Sequence, residues 1–204
     1  MTWTDDDRQR LLVFKDNPDC DDVKVKEKIK EVLLGDKYIL HVLDNKELEP
    51  LVEDDMTNAD EYYGVNILPY FLVAPSQSEA SNFICFETSY EKRRYDSDTT
   101  KKNLNIIFYL ISEQKLIKDA DTGVAKHDLL AALIMNKFDW TNYFGKKIHL
   151  ISDQASVVDV KYACRTLVFE QITDNNLVKT QLRPYGAYVP DTANKDVVYW
   201  VERL

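Results

Sequence analysis

Residues 83–110 constrain the fold more than any other part of this 204-residue chain. They read as two apolar-rich strands separated by a charged tip, Glu91-Lys92-Arg93-Arg94-Tyr95-Asp96, followed by residues 97–102. Along the first strand Ile84, Phe86, Thr88 and Tyr90 alternate with Phe83, Cys85, Glu87 and Ser89. That period of two places successive side chains on opposite faces of a sheet. The second strand, residues 104–111, is apolar on both faces near its end, as expected of a central strand covered twice. Together they predict a hairpin whose connection is too long for a two-residue turn. Long connections in compact domains are commonly functional or mobile.

Helical periods flank the pair. Residues 23–34 put Val25, Ile29, Val32 and Leu33 on one face, with Gly35 where a C-terminal cap belongs. Residues 1–22, acidic and broken by Asn17-Pro18-Asp19, fit an arm or a first short helix around residues 8–14. Residues 125–138 give the clearest helical pattern, with Leu129, Leu130, Leu133, Ile134 and Phe138 in one stripe. Asp121 or Thr122 is the expected cap, and Asp128 suits the dipole of the first turn. Burying such a stripe contributes roughly 1.5–3 kcal/mol per large aliphatic side chain.

The remaining segments are less periodic. Residues 38–43 fit a strand, or a helix running on into Asn45-Lys46-Glu47-Leu48. Residues 47–63 are acidic and predict a surface loop. Residues 65–74 predict a strand, with Pro69 marking an edge or an irregularity. Ser76-Gln77-Ser78-Glu79 supplies turn chemistry. After the aromatic loop Trp140-Thr141-Asn142-Tyr143-Phe144-Gly145, residues 147–152 and 162–172 predict strands, and residues 197–201 a last strand-like piece. The expectation is an α+β fold: a mixed, mostly antiparallel β-sheet with a long hairpin, flanked by helices. An acidic N-terminal arm (1–22), a core domain (23–175) and a C-terminal arm (176–204) are the expected parts.

Composition narrows the function. Hydrophobic residues make up 45% of the chain, enough apolar surface to offset chain entropy. The formal net charge of −9 argues against a general nucleic-acid binder, because such binding rests on Lys and Arg neutralising phosphates. Cys85 and Cys164 sit inside apolar strands and read as reduced core thiols, and no Cys-x-x-Cys pair accompanies them or Cys20. Neither a signal peptide nor a membrane-spanning run is visible, so a soluble, intracellular protein is expected.

Candidate sites weigh mostly toward structural roles. His41, His127 and His149 form no ligand pair in sequence, and His127 near a helix start reads as a surface residue. Asp16, Asp19, Asp21 and Asp22 lack the glycine and closing glutamate of a calcium loop, and Asp119 and Asp121 read as turn residues. No glycine-rich phosphate loop and no nucleophile elbow occurs. A nuclease site pairing Glu87 with Lys92 would need carboxylates converging on phosphate, and Glu87 stands alone on its strand. The basic cluster Lys92, Arg93 and Arg94, with Lys101 and Lys102 across the hairpin, carries most weight. It is either a solvated tip that discourages edge aggregation or a docking tip for an acidic neighbour, with Tyr95 as anchor. The acidic N-terminal region of another copy is a natural partner, since head-to-tail contacts join different patches.

The order of elements also resembles a known family. The strand ending near Leu68-Pro69-Tyr70, the charged hairpin, the helix Asp128-Leu129-Leu130-Ala131-Ala132-Leu133-Ile134 and the strand from Lys161-Tyr162-Ala163-Cys164-Arg165 to Leu167-Val168-Phe169-Glu170 are arranged as in the tail-terminator and tail-completion (head–tail joining) proteins of tailed bacteriophages. The likeness spans residues 23–175 and includes no diagnostic motif. It implies a homo-oligomeric ring, typically hexameric, that caps the tail tube protein and offers a face to the head–tail connector protein. It implies no catalysis, no metal and no cofactor, and no membrane. DNA would pass through without specific binding, past a negative lumen. The protein would sit in the tail or neck of the virion after assembly in the host cytoplasm. In that reading Lys92, Arg93, Arg94, Tyr95, Lys101 and Lys102 engage a neighbour, and a C-terminal arm with Tyr185, Tyr188 and Trp200 clasps an adjacent copy. The acidic first twenty residues, the 47–63 segment and the arm depart from the family layout and would equally suit a neck or head-closure component. Two readings of other classes stand beside it: a metal-dependent nuclease using Glu87, and a regulatory or host-interaction module that forms no ring.

Overall fold

The computed structural model describes residues 4–6, 8–9, 21–52, 56–71, 82–95, 99–158, 160–174, 187–190 and 198–201. One sheet holds β1 (Ile67–Leu68), β2 (Asn82–Tyr95), β3 (Thr99–Glu113), β4 (His149–Val157) and β5 (Tyr162–Asp174), in the order β1-β2-β3-β5-β4. β1 runs parallel to β2, and the other pairs are antiparallel. A separate two-stranded sheet pairs β6 (Ala187–Pro190) with β7 (Val198–Val201). Helices α1 (Asp21–Leu34), α2 (Lys37–Leu43) and α3 (Lys126–Phe138) lie against the main sheet. The fold is α+β, with the mixed sheet, long hairpin and flanking helices that the sequence pattern predicts.

β3 is central because it is apolar on both faces. Leu104, Ile106, Phe108 and Leu110 join Ile84, Phe86, Leu167 and Phe169 in the main core under the helices. Ile111 joins Leu68, Phe83, Cys85 and Cys164 in a smaller cluster. The alternation read along residues 83–90 is therefore the alternation between these two cores. Phe108 anchors the larger one, with ring centroids 5.1 Å from Phe138 and 5.8 Å from Phe169, the latter edge-on. Such pairs add roughly 0.5–1.5 kcal/mol beyond area burial. Cys85 and Cys164 are buried free thiols, as expected; Cys20 lies outside the described residues.

Residues 38–43 resolve as helix because Asp36 starts one. Its Oδ1 accepts from the backbone N–H groups of Tyr38 (2.9 Å) and Ile39 (3.4 Å), satisfying donors a helix start leaves orphaned. Ile39, Leu40, Val42 and Leu43 are then buried at helical spacing, and Asp44 ends α2 in the left-handed region (φ 49°).

Several expectations need correction. Residues 65–74 are not a full strand: β1 is two residues long and stops at Pro69, which has no N–H to continue a ladder, and residues 72–81 lie outside the described residues. The acidic 47–63 segment is not an open loop. It carries 3-10 turns at Glu49–Leu51 and Ala59–Tyr62 and buries Ala59 and Tyr62, while Asp60 and Glu61 face outward. Neither Asp121 nor Thr122 caps α3. The cap position is Ala125, which closes a bridge to Lys118. Asp119 Oδ2 spends its acceptor capacity on the backbone N–H (2.8 Å) and hydroxyl (2.7 Å) of Thr122, in a turn where Gly123 takes φ 72°. β4 starts two residues later than expected and continues to Val157, through polar residues that carry no alternating signal. Of the expected first helix at residues 8–14, Arg8 and Gln9 are helical, as are Asp5 and Asp6 before it, and residues 10–20 lie outside the described residues.

Candidate functional site

The backbone ladder sets the geometry of the hairpin. β2 and β3 pair without interruption from Asn82↔Ser112 to Tyr95↔Thr99. β1 covers β2 only at Ile84 and Cys85. β4 reaches no further along β5 than Glu170, which stands opposite Asn105 of β3. Past that level the described sheet narrows to β2, β3 and β5, and past Lys101↔Asp174 to β2 and β3 alone.

The tip therefore extends beyond both edges of the sheet. Its register sets Lys92 opposite Lys102 and Arg93 opposite Lys101. Like charges directly opposite each other destabilise a strand pair, and only Lys101 has an acidic residue, Asp174, facing it on β5. Lys92, Arg93, Arg94, Tyr95, Lys101 and Lys102 are placed here by backbone register; their side chains lie outside the described residues. Tyr188 and Trp200 stand opposite each other in the β6–β7 pair. Their side chains, and the whole of Tyr185, also lie outside the described residues.

A groove of about 740 Å³ runs along the flank of α1. Glu27, Lys30, Glu31 and Leu34 form one wall, and Asp60 and Glu61 from the Ala59–Tyr62 turn form the other. All four carboxylate residues are exposed. Lys30 Nζ reaches Asp60 Oδ1 at 3.1 Å, and Lys28 Nζ donates to Glu31 Oε2 at 2.8 Å. Lys26 Nζ donates to the Pro69 carbonyl at 3.0 Å, which ties α1 beside the end of β1.

The histidines divide in character. His41 places Nδ1 2.6 Å from Glu49 Oε1 and Nε2 3.4 Å from Asp121 Oδ2. The Glu49 contact raises its pKa above the usual 6.5, burial opposes this, and Asp121 adds to it. His127 is buried rather than at the surface, because the first turn of α3 is pinned from both sides. Lys126 Nζ lies 2.5 Å from Asp44 Oδ2, and Arg165 Nη1 donates to Asp128 Oδ1 at 2.5 Å. Burial lowers the pKa of His127, against the pull of Asp128 and with help from the Arg165 charge. His149 meets the Trp140 ring edge-on at 4.3 Å. Arg165 also donates twice to Asp153, at 2.7 Å each, which holds that carboxyl below its usual range.

Glu87, the proposed nuclease carboxylate, accepts a long hydrogen bond from the Tyr109 hydroxyl at 3.5 Å. Among the described residues no group of three or more His, Cys, Asp or Glu is arranged to hold a metal ion. No helix of the described residues is long and apolar enough to cross a membrane.

Three asparagines escaped the sequence pattern. Asn45 Nδ2 donates to Asn66 Oδ1 (2.7 Å), Asn66 Nδ2 to the Asn82 carbonyl (2.9 Å), and Asn82 Nδ2 to the Leu43 carbonyl (3.1 Å). All three are buried and tie the end of α2 to the starts of β1 and β2. Each follows or precedes an apolar run, where asparagine ordinarily reads as a turn residue.

The YomW family model matches residues 36–171. The chain belongs to the YomW family. The matched span begins at the cap Asp36 and ends at Gln171 in β5, so the YomW match takes in β1 to β4, most of β5, α2 and α3. The α1 wall of the groove and the β6–β7 pair fall outside it. No curated protein matches the chain. Among solved structures, a chain from the "Virion of native gene transfer agent (GTA) particle" is similar at a TM-score of 0.39 and 10% identity, over 55% of this chain and 81% of that one. At that TM-score the likeness carries no argument about fold or role.

Proposed function

We propose that this member of the YomW family is a structural protein of a tailed-phage virion that works by assembly rather than chemistry. Six copies form a ring at the head–tail junction, end the tail tube and dock it to the connector. DNA passes through the ring without being gripped, in keeping with a chain of net charge −9. The observation that carries the reading is the β2–β3 hairpin, which outreaches β1 and β4 and sets cations opposite cations at its tip. A rigid arm of unbalanced charge is suited to reaching an acidic neighbour. The element order that resembles tail-terminator proteins supports the same assignment. Negative-stain images of the purified protein test it. The reading expects closed rings with a central channel wide enough for duplex DNA, about 20 Å. Images showing only particles of single-chain size at high protein concentration would count against it.

A further inference from the structure

We propose that the groove between α1 and the Ala59–Tyr62 turn receives the β2–β3 tip of a second copy of this chain, an inference that rests on the ring reading above. Glu27, Glu31, Asp60 and Glu61 outnumber the one lysine of the lining, Lys30, which is bound to Asp60, and Lys28 beside them is bound to Glu31, so the groove keeps a net negative charge. The tip brings Lys92, Arg93, Arg94, Lys101 and Lys102 against Glu91, Asp96 and Asp98. Its register opposes Lys92 to Lys102 and Arg93 to Lys101, so an acidic cleft around the tip removes a repulsion that the hairpin otherwise carries. Leu34, itself buried in the core, lines the floor of the groove, and Tyr95 is the aromatic residue at the end of β2.

Lys26 fixes α1 beside Pro69, next to Leu68, whose partner on β2 is Cys85. From there β2 runs on to Tyr95, which at ~3.3 Å per residue carries the tip about 30 Å away. A paired ladder cannot fold back over that distance, so the occupant of the groove comes from another molecule. Tip and groove are different patches on one chain, which makes the contact head-to-tail. Such contacts close into a ring when the rotation between neighbours divides a full turn.

Exchange of charge between the two patches tests this. Arg93→Glu with Arg94→Glu makes an acidic tip, and Glu31→Lys with Glu61→Lys makes a basic groove. Glu31 and Glu61 are exposed, and Arg93 and Arg94 are placed at the strand tip by register; thermal melts of each variant check that the fold survives, and the Gln versions of the same four residues serve if a reversal does not fold. Assembly is read by sedimentation at about 0.15 M salt, near a Debye length of roughly 8 Å. Each variant alone is expected to need at least tenfold more protein to assemble. An equal mixture of the two is expected to recover wild-type assembly, because acidic tips then meet basic grooves and basic tips meet acidic grooves in alternation. Variants that assemble like wild type, or a mixture that recovers nothing, overturn the docking and leave the ring standing. A wild-type protein that stays monomeric at every concentration overturns both.

Discussion

Asn66 holds two elements at once, giving a hydrogen to the Asn82 carbonyl and receiving one from Asn45, while its own carbonyl accepts from the Ile84 N–H at 2.8 Å. An alanine there leaves the Asn45 amide and the Asn82 carbonyl buried without these partners, and an unsatisfied buried group costs about 1–3 kcal/mol. Asn66→Ala is therefore expected to lower unfolding stability by about 2–4 kcal/mol in urea titrations. A change below half a kcal/mol would show that the network contributes little. Charge works differently at the histidines. The raised pKa of His41 means that its stabilisation is complete below the unfolded value of 6.5 and is lost as pH rises through the folded value. His127 has the opposite sign: its lowered pKa costs stability as pH falls below 6.5 toward the folded value. In a His41→Gln variant the loss of stability with rising pH should disappear, leaving the acid-side loss from His127. Equilibrium unfolding between pH 5 and 8 reads this, and an unchanged slope on the alkaline side would contradict it. None of these roles was legible in the sequence. A polar residue at the end of an apolar run looks the same whether it faces water or closes a buried network.

At the scale of elements, α2 shows how a short motif decides between two folds. Residues 38–43 are apolar enough for a strand, and the preceding Asp36 tips them into a helix by capping Tyr38 and Ile39 and by holding Lys137 Nζ at 2.8 Å from its other oxygen. Loss of such a cap costs about 0.5–2 kcal/mol. Asp36→Ala is expected to destabilise by at least that much and to return the raised pKa of Lys137 toward its ordinary value, measurable by unfolding and by NMR titration of the lysine. A variant with wild-type stability would remove the cap from the account. The legible elements were those with strong periodicity: β2 and β3, whose two faces enter two cores, and α3, whose Phe138 packs on Phe108 and Phe169. β4 was only half legible because residues 153–157 are exposed and follow no alternation. β1 is shorter than the 65–74 run predicts because Pro69 follows it directly and cannot extend the ladder, while the edge position that Pro69 marks in the sequence is the one β1 occupies. The buried Tyr62, whose phenol burial pushes up to about 12, was hidden in an acidic segment that looked wholly solvated.

For the whole molecule, two charged patches matter to assembly: the cations of the hairpin tip, and the carboxylates Glu27, Glu31, Asp60 and Glu61 that line the groove. The YomW match covers most of the sheet that carries the tip, and α1 adds one wall of the groove to that core. In the proposed docking these two patches come from different copies, which is why it leads to a ring rather than a self-contained module. The sequence made the tip legible through its charge, but the groove appears only when α1 and residues 56–61 are brought together by folding. The most direct measurement is the native mass of the purified wild-type protein across a concentration series. The account predicts one discrete assembly, at six times 23.8 kDa, replacing monomer as concentration rises. A single species of 23.8 kDa at every concentration, or an open-ended ladder of masses with no closed form, would contradict it.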